Sequence, residues 1–259
     1  NENSKILVSN FDLDSHINIE NLDFHYYGFR SPKALDDINI KIPFGKTTAI
    51  VGESGSGKTT LMKLLLKFYT PSKGNIYFSN YSINDISAKD LRKNCGVVMQ
   101  DGFIFADTLE RNIASGSEEI DENKLVQAVK IANLQEFVED LPQGYKTMLG
   151  SGGNGVSGGQ KQRILIARAV YKNPNFIFFD EATSSLDSEN EKIIYDNLDE
   201  FFKGKTVIKI AHRLSTVKNA DQIIVIKKGK IVEVGNHKQL VDLKGVYFNL
   251  VKNQLELSV

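Results

Sequence analysis

Apolar positions in this chain follow two rhythms, one of strands and one of helices. Ile17, Ile19 and Leu22 to Phe24 predict a first strand. Ile38, Ile40 and Ile42 alternate with polar residues, as a half-buried strand does, and Pro43-Phe44-Gly45 then turns the chain. Thr47 to Val51 is a short β-prone run. Glycines follow at once, and then Leu61, Met62, Leu64, Leu65 and Phe68 at helical spacing, so the order is strand, loop, helix. From about residue 88 to 170 the pattern is mostly helical. Asp121 to Ala132 and Ser157 to Tyr171 read as amphipathic helices, with a break at Leu141-Pro142-Gln143-Gly144 between them. Phe176 to Phe179 is apolar throughout and of strand length, suited to the centre of a parallel sheet covered on both faces. Ser188 to Phe202 reads as a helix. Thr206 to Ile210, Gln222 to Ile226 and Lys230 to Val234 read as strands, the last two joined across Lys227-Lys228-Gly229 as a hairpin. Strands alternating with helices predict an α/β fold. The helical middle, about residues 101–170, reads as a subdomain inserted into it, and the polar, unpatterned residues 1–16 as a linker.

Composition narrows the class. At 259 residues the chain holds one large domain or two small ones. Thirty-two basic against 32 acidic residues leave no net charge, which gives nucleic acid little electrostatic foothold. The single cysteine, Cys95, cannot form an internal disulfide and fits a reducing compartment, where it reads as an inert small residue. His16, His25 and His237 lack metal-ligand spacing and read as structural or exposed. No apolar stretch approaches the roughly 18 residues that span a bilayer. Asn1-Glu2-Asn3-Ser4 carries neither Met nor a signal-peptide core, which suggests a piece of a longer polypeptide.

Gly52-Glu53-Ser54-Gly55-Ser56-Gly57-Lys58-Thr59 matches the phosphate-loop pattern G-x-x-x-x-G-K-[ST] in full. Its glycines let the backbone curl so that successive N–H groups point at phosphate oxygens. The helix starting near Lys58 turns its positive end to the same anion. Lys58 adds a point charge on the β- and γ-phosphates, and the Thr59 hydroxyl suits Mg²⁺. A chance glycine-rich turn is the bland alternative, but here the loop lies between a β-prone run and an apolar-periodic helix.

Two carboxylates, Asp180 and Glu181, follow the apolar run at Phe176, at the strand end where open α/β sheets bind ligands. Asp180 suits Mg²⁺ through its water shell, and Glu181 suits the orientation and deprotonation of an attacking water. A solvated acidic loop is the bland alternative for the pair, and the phosphate loop beside it weighs against that alternative. Ser157-Gly158-Gly159-Gln160 reads locally as a helix start, with Ser157 as N-cap and Gln160 completing a capping box.

Taken together, these motifs resemble the nucleotide-binding domain of ABC transporters from about Ile17 to the C-terminus. Val156-Ser157-Gly158-Gly159-Gln160 is similar to the family signature, with Val156 in place of its usual leucine. Gly52, Ser54, Gly55, Ser56, Gly57, Lys58, Thr59 and Thr60 resemble the Walker A loop, and Asp180 and Glu181 the Walker B aspartate and catalytic glutamate. Tyr26 matches the aromatic that stacks on adenine, with Tyr27 as a competing candidate. Gln100 matches the Q-loop glutamine, which bridges metal and nucleotide to the transmembrane partner. Ser184-Ser185-Leu186-Asp187 resembles the D-loop, and His212 the switch histidine. Taken singly, Tyr26, Gln100 and His212 read as a surface aromatic, a loop amide and a core histidine; it is their order along the chain that points to the family. Upstream, Ser151 stands where exporter relatives often carry a glutamate, which puts coupling through that loop in doubt.

The resemblance implies a P-loop NTPase core with a mixed or parallel sheet, an N-terminal antiparallel β-subdomain and the inserted helical subdomain, over residues 17–259. It implies an Mg²⁺-dependent ATPase in which ATP is sandwiched in a head-to-tail dimer. Ser157, Gly158 and Gly159 of a second copy would close the far side of the γ-phosphate. It further implies coupling to a transmembrane domain of the same polypeptide at the cytoplasmic face of the inner membrane. Residues 141–164 look most like exporter-type domains, and within that group like the peptide and bacteriocin exporters, which implies a peptide as a candidate substrate. A soluble ABC-type ATPase acting on DNA is the main rival, but it would need long coiled-coil heptads that this sequence lacks. A regulatory module without hydrolysis is a second rival, and the presence of Glu181 and His212 argues against it.

Overall fold

The computed structural model describes residues 16–150, 155–180, 188–211 and 217–256, without the side chains of 188–189 and 254–256. In chain order the strands are β1 (Ile17–Phe24), β2 (Leu35–Ile42), β3 (Thr47–Val51), β4 (Lys73–Phe78), β5 (Tyr81–Ser82), β6 (Cys95–Val98), β7 (Phe176–Asp180), β8 (Thr206–Ile210), β9 (Gln222–Lys227) and β10 (Lys230–Gly235). The helices are α1 (Lys58–Leu65), α2 (Ala88–Lys93), α3 (Leu109–Ile113), α4 (Glu122–Ile131), α5 (Gln135–Glu139), α6 (Gly158–Tyr171), α7 (Ser188–Phe202), α8 (His237–Leu243) and α9 (Val246–Glu256). They form two compact units, residues 95–203 making one and the flanking segments the other.

The unit built from the two ends of the chain contains an antiparallel sheet in the order β2-β1-β4-β5. Alternation, broken in β1 by a register shift between Ile19 and Leu22, decides its buried face: Ile17, Ile19, Leu22, Ile38, Ile42, Ile76 and Phe78 are all removed from solvent. In a second sheet of this unit, β3 lies between β8 and β9, parallel to both, and β10 closes back on β9 as the expected hairpin. Ala49 and Val51 of β3 and Ile223 and Val225 of β9 share a core cluster with Leu240 and Tyr247, which seats α8 and α9 on that sheet. Burial pushes the Tyr247 hydroxyl up to about 12, and it bonds His237 Nδ1 at 2.8 Å.

In the other unit, β6 and β7 pair in parallel, Val98 opposite Phe179. All five residues of β7 are buried, as the uninterrupted apolar run predicts. Helix α6 packs so closely on β6 that a Cβ on Gly96 would lie 2.8 Å from Pro174 and 3.1 Å from the Ala169 carbonyl. The helical reading of residues 88–170 needs correction in one place. Cys95–Val98 is a strand, because its three buried residues line up beside β7 rather than continue α2. Strands β4 and β5 and helices α8 and α9 are further elements that the apolar pattern did not predict.

Candidate functional site

The phosphate loop is shaped by close packing at its ends and openness at its centre. Gly52 leaves β3 with φ 151°, and a Cβ there would lie 2.1 Å from the Ile226 carbonyl oxygen. Gly57 has φ 110°, and a Cβ there would meet Leu35 at 2.7 Å and the Ala34 carbonyl oxygen at 2.9 Å. Between them, Gly55 (φ 74°) faces open space. Gly57 is also the N-cap of α1, so the helix begins without a capping side chain. The first-turn N–H groups thus point to where an anion would sit. The loop's far end is moored: Gly229 at the hairpin tip donates its N–H to the Ser56 carbonyl at 2.9 Å and accepts from Asp36 N–H at 2.8 Å.

Two side chains show what this loop is built to hold. Lys58 is buried, and its ammonium donates to the Gly52 and Glu53 carbonyls, each at 2.9 Å. The Ser56 hydroxyl is buried without a hydrogen-bond partner. An orphaned buried hydroxyl is costly, and a phosphate oxygen entering the loop would relieve it. An open centre, an uncapped helix start, a cation and an orphaned donor together fit a polyphosphate. Thr59 follows Lys58 in the first turn of α1, half-buried.

Tyr26 lies in the loop after β1, and its hydroxyl bonds Thr60 Oγ1 on α1 at 2.8 Å. Tyr27 is 90% exposed. The loop carrying both is closed by Ala34 N–H to the Phe24 carbonyl and by His25 Nδ1 to the Ser31 carbonyl at 2.7 Å. Beside it, Lys33 bridges Asp23 at 2.9 Å and Asp36 at 2.6 Å, and Lys230 also pairs with Asp36. Burial alone would raise the Asp23 carboxyl. The Asp37 N–H and the Lys33 ammonium outweigh it and hold the group below its ordinary 3.8.

In the unit of residues 95–203, Gln100 and Asp180 leave the same C-terminal edge of the neighbouring strands β6 and β7. Gln100 is exposed, whereas Asp180 is buried. Among the described residues no cluster of three His, Cys, Asp or Glu side chains assembles. A divalent ion here would draw on hard oxygen donors singly, as Mg²⁺ does when phosphate oxygens and water complete its shell. Ser157 caps α6: its hydroxyl accepts from Gln160 N–H at 3.2 Å, and Gln160 Oε1 accepts from Ser157 N–H at 2.8 Å. The capping box read from the sequence is therefore formed. It leaves the hydroxyl proton of Ser157 to donate, with Ser157 and Gly158 exposed and Gly159 beside them. Glu181, His212, Ser151 and residues 184–187 lie outside the described residues.

Sequence reasoning missed a hub on α6. Asn112 is fully buried and its amide donates to the Phe105, Asp107 and Thr108 carbonyls. Arg168 donates to Asn112 and to the Phe103 carbonyl and lies over the Phe105 ring. Burial lowers this guanidinium to about 10. No local pattern signalled it, since Asn112 sits in a short helix that also carries Glu110 and Arg111. The hub fixes the loop that follows Gln100 onto the helix that Ser157 begins.

Residues 35–184 match the family model described as "ABC transporter". The chain is 45% identical to "Multidrug resistance protein 1" of Entamoeba histolytica over 94% of its own length and 19% of that protein's. It is 47% identical to the "ATP-dependent lipid A-core flippase" of Saccharophagus degradans, over 91% of this chain and 40% of that one. Among solved structures it resembles a bacterial Atm1-family ABC exporter with ATP bound, with TM-score 0.87 and 37% identity, covering 96% of this chain and 43% of the other. The chain thus spans between about a fifth and two-fifths of the length of these relatives.

Proposed function

The chain belongs to the ABC transporter family, and from that premise we propose that it is the ATP-binding and ATP-hydrolysing motor domain of an exporter. The observation that carries this reading is the loop from Gly52 to Gly57: open at Gly55, uncapped at the start of α1, and lined by a buried cation and an orphaned hydroxyl. The names of the relatives favour an exporter over a soluble ATPase acting on DNA. They point to drugs and lipid A-core rather than peptides, so the broader exporter reading is kept.

In this reading Lys58 and the loop N–H groups hold the β- and γ-phosphates, and Ser54 and Ser56 line their path. Tyr26 stacks on the adenine. Thr59, Gln100 and Asp180 would hold Mg²⁺, which when bound offsets phosphate charge. Glu181 takes a proton from the attacking water as its oxygen bonds the γ-phosphorus. The bond to the β–γ bridging oxygen breaks, leaving ADP and inorganic phosphate. His212 senses the γ-phosphate. Ser157, Gly158 and Gly159 of a second, head-to-tail copy donate to the open side of the γ-phosphate, with Gln160 bracing that helix start. Residues 1–16 serve as the tether to a transmembrane domain of the same polypeptide, and Gln100 and its surroundings pass movement to it at the cytoplasmic membrane face.

Glu181→Gln with saturating Mg-ATP tests this. The variant keeps binding but loses the base, so light scattering should show the mass doubling. A monomer under those conditions refutes the sandwich.

A further inference from the structure

A base can stack only on a ring that holds still, and the ring of Tyr26 is held by more than its own backbone. Tyr26 is 44% exposed, enough to offer a face to a ligand and enough to turn freely if nothing restrained it. Three contacts restrain it. Phe24 meets it edge-to-face with centroids 5.0 Å apart and planes at 80°. Tyr69 meets it at 5.5 Å and 85°. Its hydroxyl bonds Thr60 Oγ1 at 2.8 Å. Phe24 and Tyr69 also touch each other, at 5.4 Å, which closes the three rings into a triangle.

The backbone fixes this triangle on both sides. Tyr69 lies just beyond α1, where Phe68 N–H donates to Lys63 and Lys67 Nζ donates to the Ile83 and Ile86 carbonyls. A few residues on, Ser72 N–H donates to the Asp23 carbonyl, and Ser72 Oγ accepts from His25 N–H. The Tyr69 segment is thereby tied to β1 at both neighbours of Phe24. Thr60 sits two residues after Lys58, so the hydroxyl–hydroxyl bond joins the ring to the helix whose start faces the phosphates. Tyr27, by contrast, lies tilted at 6.5 Å from Tyr26.

We propose that Tyr69 and Thr60 are positioning residues that fix the ring of Tyr26 before nucleotide arrives and set its distance from the phosphate loop. The proposal rests on Tyr26 being the adenine platform. Tyr69 supplies an aromatic edge that sets the ring plane, and Thr60 supplies the anchor for its far end. Freezing a mobile side chain on binding costs about two- to tenfold in affinity. A pre-set ring avoids that loss for the base and leaves phosphate binding unaffected.

The test compares Mg-ATP with Mg-tripolyphosphate, which carries the phosphates without the base, by equilibrium binding to the full chain. The ratio of the two affinities isolates the contribution of the base. Tyr69→Ala and Thr60→Val should each lower that ratio about three- to tenfold, the range expected for one aromatic edge or one hydrogen bond. Tyr69→Phe and Thr60→Ser, which keep the edge and the hydroxyl, should restore it. Tyr26→Phe should lower the ratio like Thr60→Val, and combining the two should lower it no further. A calorimetric melt near that of the wild type shows that a variant is folded; if Tyr69→Ala fails this, Tyr69→Leu replaces it. A ratio unchanged in both Tyr69→Ala and Thr60→Val, while Tyr26→Ala abolishes it, overturns the positioning role alone. A wild-type chain binding both ligands equally, or a Tyr26→Ala variant with an unchanged ratio, overturns the adenine platform and the proposal with it.

Discussion

Two glycines of the phosphate loop should fail in opposite ways when given a methyl group. At Gly52, φ 151° is a conformation that alanine resists, and its Cβ would lie 2.1 Å from the Ile226 carbonyl. That carbonyl cannot retreat cheaply, because β9 is paired with β3 on one side and β10 on the other. Backbone strain of about 1–3 kcal/mol adds to at least one weakened ladder bond of roughly 1 kcal/mol, so Gly52→Ala should cost about 2–4 kcal/mol. For a chain of this length that lowers the melting temperature by about 5–15 °C. Gly55 (φ 74°) meets nothing within 4 Å. Gly55→Ala therefore bears only the left-handed strain of ~1–2 kcal/mol and should melt only a few degrees low. Its methyl, however, would enter the open space into which the proposed function puts the phosphates. Crowding a packed contact costs ~1–3 kcal/mol, so Mg-ATP affinity should fall about tenfold or more. Calorimetric melts and equilibrium ATP binding on both variants decide the matter. A Gly55→Ala protein that binds ATP as the wild type does, or two variants with the same melting loss, refutes the division between a structural and a ligand-facing glycine.

The sequence contains no tryptophan, so a single introduced indole reports on one site. Emission from Tyr26→Trp should be quenched by Mg-ATP and not by Mg-tripolyphosphate; the same response from Tyr27→Trp instead would move the base to that residue. The Asp23 carboxyl is held below 3.8, a depressed value whose stabilisation is present above the unfolded pKa and is lost as pH falls through the folded one. Wild type should accordingly be more stable to urea than Asp23→Asn at pH 7, and the gap should close below about pH 4. A gap independent of pH would show that the ion pair with Lys33 contributes nothing through charge.

The sequence was legible where local chemistry and tertiary packing agree. The apolar positions from Ile17 to Phe24 marked β1, strict alternation marked β2, the unbroken apolar run marked β7, and Ser157 with Gln160 marked the start of α6. Legibility failed where packing overrides a weak local signal. In β4 only Ile76 and Phe78 are buried, and Gly74 belongs to the strand because no Cβ fits within 2.3 Å of the Glu20 and Asn21 carbonyls. Strand β6 has four residues, too few for a period to show. Helix α8 did announce itself, through an Asn236–Gln239 capping box that the apolar pattern alone overlooks. In the site, Gly52, Gly57 and Lys58 follow from residue type and spacing. The orphaned Ser56 hydroxyl and the Tyr26–Thr60 bond do not, since the first is a matter of burial and the second joins residues 34 apart in the chain.

The tip at Lys227-Lys228-Gly229 has a practical bearing on how this chain is handled. Solvent-facing hairpin ends are the usual place to splice in an affinity handle or a fluorescent protein. Here the glycine is clasped from both directions, by Ser56 and by Asp36. A graft at that tip would pull on the phosphate loop itself, so a tagged preparation that looked inert would be reporting on its label rather than on the protein.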